Sequence, residues 1–294
     1  METLLRRRLV AITLPAPVLD HPNKRLAFEL AGPQTTGTIE VTRWRAGDIP
    51  VRHGTTELIA VPGYYDYAGD SAATWHVNFA DPDLFVAYGS RLLAQDELQC
   101  LEHPALGSLR IALGAHALTE NDGPTPVLIV GAERRCALDT DGLYGNRFAM
   151  ASGDQIRSAI TLLRPPTRTN LIAIAAPVGS GEYTRSTLAR IVATAYTGFA
   201  AAVHESARLW PGVPVEARTG FWGCGAFGGN RLVMSSLQIY AARLAGVARL
   251  RFYAADDAGL ADLRAGQTLL DEASSDPIEH IAERHLRWGV SNGT

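Results

Sequence analysis

The fold of this 294-residue chain is decided by the stretch Thr219-Gly-Phe-Trp-Gly-Cys-Gly-Ala-Phe-Gly-Gly-Asn230. Residues 213–219 before it alternate like a strand, and residues 231–246 after it carry apolar side chains at helical spacing. A glycine-rich turn that opens a helix presents backbone N–H groups and the positive end of the helix dipole. The sequence therefore predicts an anion site at this turn, and phosphate is the usual anion.

Two other interpretations of the same stretch exist. Gly223 to Gly228 fits the G-x-G-x-x-G spacing of dinucleotide-binding folds, but a lone match of this kind is weak. That fold needs an acidic residue about twenty positions later, and Asp256 and Asp257 lie too far along the chain. A packing turn without a ligand is the second alternative. We favour the phosphate site over both.

Composition limits the class of protein. The apolar residues make up 47% of the chain and the charged ones 19%, which is enough to build a large core. A net charge of −3 gives no basic surface, so we expect no nucleic-acid partner. Cys100, Cys136 and Cys224 are scattered and odd in number, which favours a reducing, cytoplasmic location. No apolar run is long enough for a membrane span, and the histidine spacing predicts neither a metal nor another cofactor.

Strand-like and helix-like segments alternate along the chain. The predicted strands are residues 36–44, 75–80, 109–113, 127–130, 171–176 and 213–219, and the predicted helices are residues 91–102, 186–207, 231–246 and two after residue 258, the last from Pro277 to Trp288 with Asp276 as N-cap. This alternation predicts an α/β fold with helices on both faces of a sheet. We divide the chain into an N-terminal accessory segment (1–50), a central domain (51–260) and a C-terminal helical extension (261–294).

The residue sequence of the glycine-rich stretch resembles that of the diphosphate-binding loop of the poly(ADP-ribose) glycohydrolases, which are macrodomain hydrolases. Two upstream motifs, Val77-Asn-Phe-Ala-Asp81 and Gln95-Asp-Glu97, are similar to the V-D-F-A-N and Q-E-E segments of that family. Weaker similarities lie between them and the loop, among them Gly142-Leu-Tyr-Gly-Asn-Arg-Phe148. The resemblance runs from about Trp75 to Asp256. It implies a macrodomain-like three-layer α/β/α domain with a mixed sheet and helical terminal extensions.

The resemblance also implies roles for individual residues. Glu97 lies where the family keeps its catalytic glutamate, and Asp96 replaces a glutamate that helps to hold the ribose. The other implied substrate-binding residues are Asn78, Asp81, Gln95, the clasp residue Tyr144, and the loop residues Gly223, Cys224, Gly225, Ala226, Phe227 and Gly228. Without the resemblance, the acids could simply be a solvated helix start, where the dipole favours negative charge.

Several positions depart from the family pattern. Phe85-Val86-Ala87 falls where the family has three glycines, and these side chains should block the close approach of a ligand or rebuild the loop. Ala254 replaces the phenylalanine that stacks on adenine, and Tyr67-Ala68 replaces a pair that contacts adenine. The phosphate loop and Glu97 persist while the contacts to base and ribose change. This pattern favours a redirected site over a dead one.

Three functions remain open at this point. The chain could hydrolyse a ribosyl bond of a protein-linked or polymeric ADP-ribose, with Glu97 as acid/base. It could instead hydrolyse a small NAD-derived metabolite in a specialised biosynthetic pathway. The third possibility is a non-catalytic macrodomain that only binds ADP-ribose. In each case the expected ligand is an ADP-ribose-like nucleotide.

Overall fold

The computed structural model describes residues 4–8, 14–33, 39–46, 48–50 and 54–291. The strands are β1 (Leu4–Arg8), β2 (Glu40–Ala46), β3 (Glu57–Val61), β4 (Thr74–Ala80), β5 (Thr119–Glu120), β6 (Gly123–Pro124), β7 (Val127–Leu138), β8 (Ile160–Ala175), β9 (Glu216–Gly220) and β10 (Arg249–Tyr253). The helices are α1 (Pro22–Ala31), α2 (Gln95–Glu102), α3 (Ala105–Leu113), α4 (Arg147–Met150), α5 (Gly153–Ala159), α6 (Arg185–Leu209), α7 (Arg231–Ala245), α8 (Asp257–Asp271) and α9 (Pro277–Ala282).

Within the described residues, eight strands form one mixed sheet in the order β1-β2-β7-β8-β4-β9-β10-β3. The five strands from β8 to β3 run parallel, and β1, β2 and β7 continue the sheet in antiparallel pairs. The central register pairs Val77 of β4 with Ile172 of β8. Parallel strands carry their carboxyl ends to one edge, and ligands of open α/β sheets bind outside such an edge.

Two cores lie on opposite faces of the sheet. One is built with α6, α7 and α8, which contribute Phe199, Leu237 and Leu263. The other is built with α1, α2 and α3, and includes Phe28 and Leu101. A sheet with a helical layer on each face is the three-layer arrangement that the alternating pattern predicted, so the fold class is confirmed.

One strand prediction was wrong. Residues 109–113 belong to helix α3, which begins after Pro104 and ends at Gly114. A short apolar run is compatible with a buried strand and with a buried helix, and periodicity alone cannot separate the two. The glycine at position 107 lies on the buried side of this helix, where an added Cβ would be 2.6 Å from the ring of Tyr88.

The ends of the chain differ in detail from the predictions. Asp276 does cap α9, since its side chain accepts the backbone N–H of Ile278. The helix ends at Ala282 and not at Trp288. Of the strand predicted over residues 36–44, residues 36–38 lie outside the described residues, Ile39 precedes β2, and residues 40–44 belong to β2.

The division into three segments stays a prediction. Strand β2 of the N-terminal segment pairs with β7, for example Val41 with Ile129, so the sheet runs across residue 50. Among the helices of the described ranges, none combines the length and apolar character needed to cross a bilayer.

Candidate active site

A cavity of about 1000 Å³ opens where β4, β9 and β10 end. Ten predicted site residues line it: Asp81, Gln95, Asp96, Glu97, Tyr144, Gly223, Cys224, Gly225, Ala226 and Phe227. Asn78 and Gly228 do not line the cavity, although both lie directly behind residues that do. The parallel edge of the sheet therefore brings the loop and the acids, far apart in sequence, to one site.

The turn predicted to bind phosphate (residues 220–230, the glycine loop) is closed by its own backbone hydrogen bonds. Gly229 donates to the carbonyl of Gly223 at 2.8 Å, and Gly228 donates to the carbonyl of Gly225 at 3.1 Å. The backbone N–H groups of Gly223 and of residues 225–227 find no acceptor in the described part of the chain. Unpaired N–H groups beside a cavity need a partner, and an anion in the cavity can be that partner.

Helix α7, which follows the loop, offers fewer free backbone N–H groups to this site than the sequence suggested. The side chain of Asn230 accepts the backbone N–H groups of Leu232 and Val233 at 3.1 and 3.3 Å. Two of the free donors at the start of α7 are thereby already satisfied. The anion donors come chiefly from the glycine loop.

Two loop positions require glycine because of their backbone conformation. Gly223 has φ +75° and Gly228 has φ +65°, a region that residues with a Cβ seldom adopt. At Gly228 a Cβ would also lie 2.9 Å from the carbonyl oxygen of Gly289. Side chains at these positions would distort the loop from outside the cavity.

Residues 286–291 (the C-terminal brace) lie against the glycine loop. Gly289 donates to the carbonyl of Gly228 at 2.7 Å, and Trp288 donates to the carbonyl of Gly181 at 2.9 Å. The Trp288 ring stacks on Tyr183 with centroids 4.5 Å apart, and the Tyr183 hydroxyl accepts the backbone N–H of Asn230. The brace thus holds the C-terminal part of the loop, at Gly228 and Asn230, and the neighbouring segment at Gly181.

The start of α2 is fastened to β4 by Gln95. Its side-chain amide donates to the carbonyl of Val77 at 3.0 Å, and its amide oxygen accepts the N–H of Phe79 at 2.8 Å. This double hydrogen bond repeats the pattern of a neighbouring strand. It sets the position of the two acids that follow, Asp96 and Glu97 (the acid pair).

Glu97 is 4% exposed and lines the cavity. Its Oε2 accepts the backbone N–H of Ala94 at 2.9 Å, which fixes the carboxyl group at the start of α2. Burial raises the pKa of Glu97, and the positive charge of Lys24 is the main opposing influence. A raised pKa suits a carboxyl group that must hold a proton near neutral pH.

Asp96 is 6% exposed and receives a 2.9 Å hydrogen bond from the side-chain amide of Asn78. Burial, then repulsion by Glu97, raises the pKa of Asp96 to about 7. Asn78 also donates to the side-chain oxygen of Gln99 at 3.0 Å. The structure places Asn78 beneath Asp96 as its support, and the sequence pattern could not distinguish this from a contact with the ligand.

We expect Asp96→Asn to change how stability depends on pH. A carboxyl group whose folded-state pKa lies above its unfolded value weakens the fold as pH rises from about 4 to about 7. The free energy of unfolding of Asp96→Asn, relative to the wild type, should therefore increase by about 1–4 kcal/mol between pH 4 and pH 8. Urea unfolding of both proteins at several pH values measures this. A difference that does not change with pH would contradict it.

The predicted clasp residue, Tyr144, lies beside the acid pair. Its ring is stacked on that of Tyr64, with centroids 6.4 Å apart and planes at 23°. Tyr144 is 36% exposed and Tyr64 is 72% exposed. The two rings form one rim of the cavity, and the sequence analysis missed Tyr64.

Cys224 lines the cavity, and burial raises the pKa of its thiol. A thiol held in the protonated state is a weak nucleophile. Among the described residues, no three His, Cys, Asp or Glu side chains are grouped so as to hold a metal ion.

Phe85 and Val86 were expected either to block the approach of a ligand or to rebuild the loop, and the structure does not show the first of these. The Phe85 side chain is fully buried in the core and Val86 is 45% exposed, and of these three positions only Ala87 lines the cavity. Phe85 has φ +56°, a conformation that favours glycine. The chain therefore keeps a glycine-like backbone at this point and turns the bulky side chain away from the ligand.

Two charged residues near the site were not predicted. Arg231, the first residue of α7, lines the cavity with its guanidinium 4.8 Å from the centroid of the Phe221 ring. Lys24 of α1 is fully buried and acts electrostatically on both acids. Arg231 could have been predicted from its position directly after the glycine loop. Lys24 could have been noticed because lysine is so rare in the chain.

The family model described as "Poly (ADP-ribose) glycohydrolase (PARG), Macro domain fold" matches residues 67–262. The chain belongs to the poly(ADP-ribose) glycohydrolase family. The matched region contains the acid pair, Tyr144 and the glycine loop, but neither Lys24 nor the C-terminal brace. The resemblance inferred from the motifs is confirmed, and with it membership in a family of glycoside hydrolases.

Solved structures of poly(ADP-ribose) glycohydrolases are similar to this chain at low sequence identity. A point mutant of the enzyme from Thermomonospora curvata is 19% identical, with TM-score 0.48, over 72% of this chain and 79% of that one. The enzyme of the same organism is 18% identical, with TM-score 0.46, over 88% and 93%. The enzyme from Deinococcus radiodurans in complex with ADP-ribose is 16% identical, with TM-score 0.47, over 74% and 87%. No curated protein sequence matches this chain.

Proposed function

We propose that this protein hydrolyses a ribosyl glycosidic bond of an ADP-ribosylated or ADP-ribose-like nucleotide compound, with Glu97 as acid/base. One observation carries the proposal: a single cavity is lined by a loop with unpaired backbone N–H groups and by a buried acid pair. The loop is suited to a diphosphate, and a buried carboxyl group is suited to proton transfer. A ligand that spans both has a ribose between its diphosphate and its scissile bond.

The charges in the cavity agree with this orientation of the ligand. Arg231 stands at the glycine-loop end, where its guanidinium adds a positive charge beside the backbone donors and also forms ion pairs with Asp256 and Asp262 at 3.5 and 3.8 Å. The acid pair and Asp81 stand at the other end, and all three line the cavity. A dianionic diphosphate would be attracted to the first end and repelled from the second, so the ribose would face the acids.

The proposed reaction needs one group that gives and then takes back a proton. Protonated Glu97 donates its proton to the departing oxygen or nitrogen as the bond to the anomeric carbon breaks, and the bonding electrons leave with that atom. Water then adds to the oxocarbenium-like carbon and returns a proton to Glu97. Asp96, held by Asn78, would position the ribose hydroxyl groups.

The base end of the cavity favours a second candidate within the same chemistry. Ala254 is fully buried and offers no aromatic surface, whereas Phe221 and Tyr253 both line the cavity. Tyr67, one of the residues at the replaced adenine contact, is stacked between His76 at 4.4 Å and the guanidinium of Arg134 at 4.0 Å. A rebuilt base subsite fits a small NAD-derived metabolite as well as it fits ADP-ribose on a protein or polymer.

The experiment that tests the proposal combines binding with turnover. ADP-ribose should bind in calorimetric titration, and ribose 5-phosphate should bind more weakly because it lacks the diphosphate and the base. Turnover is then measured on poly(ADP-ribose), on a mono-ADP-ribosylated protein and on NAD. Release of free ADP-ribose or of a ribosyl product supports hydrolysis.

The pattern of results separates the candidates. Turnover of protein-linked or polymeric ADP-ribose supports the main proposal, and turnover of the small compound alone supports the second candidate. Binding of ADP-ribose without turnover of any of these compounds would leave a non-catalytic ADP-ribose-binding protein. Absence of binding by every nucleotide would overturn the proposed ligand class.

A further inference from the structure

Lys24 is unusual for its chemistry and for its position. Of the 27 lysine and arginine residues in the chain, it is the one lysine. It lies on α1, outside the region that matches the family, and none of its side chain is exposed. Lysine is among the residues least often fully buried, because removing the ammonium from water is costly unless the charge is compensated.

The hydrogen bonds of Lys24 do not fully compensate this cost. An ammonium has three N–H donors, and the Lys24 ammonium donates to the carbonyl of Tyr88 at 3.2 Å. It also lies 5.4 Å from the centroid of the Phe148 ring, close enough for a cation–π interaction. Within the described residues Tyr88 is its one hydrogen-bond acceptor, so the remaining stabilisation has to come from nearby negative charge.

The negative charge that Lys24 faces is the acid pair. Helix α1 packs against α2, and the electrostatic partners of the ammonium are Glu97, Cys100 and Asp96, in that order of size. The other charge acting on the acid pair is the carboxylate of Asp81, which is repulsive, whereas Asn78 and the backbone of Asp81 donate hydrogen bonds to Asp96 and the backbone of Ala94 donates one to Glu97. Lys24 is thus a buried cation that acts on the acids from α1 and is not among the residues that line the cavity.

We propose that Lys24 is a positioning residue whose buried ammonium stabilises the carboxylate that Glu97 becomes when it gives up its proton. The inference rests on the proposed role of Glu97 as acid/base. A compact ammonium fits a space bounded by a carbonyl and a ring, whereas a planar guanidinium with five donors would leave more of them unsatisfied. This accounts for a lysine in a chain that otherwise uses arginine.

The acidities of the three groups agree with this arrangement. Burial lowers the pKa of Lys24 to about 8, and the acid pair limits that decrease. Burial raises the pKa of Glu97, and Lys24 limits that increase. Near neutral pH the ammonium is therefore charged, and the raised pKa of Glu97 favours the protonated carboxyl group that a general acid needs.

The test is an NMR titration that needs no substrate. Aspartate and glutamate carboxyl carbons are labelled with ¹³C, the Glu97 signal is assigned from its absence in Glu97→Gln, and pH titrations are recorded for the wild type and for Lys24→Met. The pKa of Glu97 should rise by about one unit or more in Lys24→Met, because an opposite charge nearby shifts a carboxyl pKa by about 1–3 units. Phe28→Leu, a change of similar burial on the same helix, should leave that pKa unchanged.

The single lysine supplies an independent second measurement. Lysine labelled with ¹³C at Cε gives one side-chain signal, and its pKa should fall in Glu97→Gln because a negative partner has been removed. This measurement decides the matter if Lys24→Met does not fold. An unchanged Glu97 pKa in Lys24→Met, or an unchanged Lys24 pKa in Glu97→Gln, would overturn the proposal.

These readouts are independent of the proposed function. If no substrate is turned over, the titrations still show whether Lys24 and Glu97 are coupled. If a substrate is found, the loss of activity at high pH should move to higher pH in Lys24→Met, because Glu97 stays protonated up to a higher pH in this variant. A purely structural lysine would lower stability without moving that pH.

Discussion

Replacing Glu97 with glutamine should reduce turnover by about a hundredfold to ten-thousandfold, the usual contribution of general acid–base catalysis. The amide keeps the size of the side chain, and its oxygen can still accept the N–H of Ala94 that Glu97 accepts at 2.9 Å. It cannot exchange a proton. The affinity for ADP-ribose should therefore change little, and steady-state turnover measured beside calorimetric affinity checks both statements.

The matched comparison is Asp96→Asn. Asp96 is buried next to Glu97, has the same carboxyl group and is held by Asn78, so the substitution replaces a carboxyl group of the same pair. We expect it to weaken turnover less than Glu97→Gln does, because in the proposed mechanism Asp96 positions the ribose and transfers no proton. If Glu97→Gln is nearly as active as the wild type while Asp96→Asn or Asp81→Asn is inactive, the acid lies elsewhere in the pair or at Asp81.

A valine at position 225 should abolish binding of ADP-ribose. Gly225 lines the cavity and its φ lies outside the left-handed region, so a valine does not strain the backbone through φ. We expect its side chain to occupy the space proposed for the diphosphate. At a ligand concentration of 100 times Kd the wild type should gain about 2.7 kcal/mol, or roughly 5 °C in Tm. Gly225→Val should show no such shift in a thermal-unfolding measurement with and without ADP-ribose.

Gly123→Val is the control for this experiment. Gly123 lies in strand β6, is not among the residues that line the cavity, and an added Cβ would make an ordinary contact 3.6 Å from the carbonyl oxygen of Glu120. The control should keep the full shift in Tm. Equal affinity of Gly225→Val and the wild type for ADP-ribose would place the diphosphate outside the glycine loop.

The parts of the site that could be predicted from the sequence are those with local causes. The glycine loop can be recognised in the sequence because Gly223 and Gly228 have positive φ angles. Only glycine adopts such a backbone conformation without strain. The acid pair can be recognised because it lies at the start of the first helix that follows a recognisable strand. The motifs that preserve these local arrangements also carried the resemblance to the family.

The rest depends on contacts between distant segments. Whether Asn78 meets the ligand or supports Asp96 is decided by how α2 packs on β4. Phe85 keeps a backbone that glycine favours because the core accepts its side chain, which no local pattern reveals. The short apolar run at residues 109–113 became a helix for a similar reason, since its neighbours and not its composition settle its conformation.

Through the C-terminal brace, the last residues of the described chain support the conformation of the proposed nucleotide site. It contains no residue that lines the cavity, yet Gly289 binds the glycine loop at Gly228 and Trp288 binds the neighbouring segment at Gly181. A protease that cuts before Leu286, or a fusion partner that pulls this segment away, would leave every cavity-lining side chain in place. It would nevertheless remove the contacts that hold the glycine loop. We therefore expect the affinity for the nucleotide to fall although no residue of the cavity has changed.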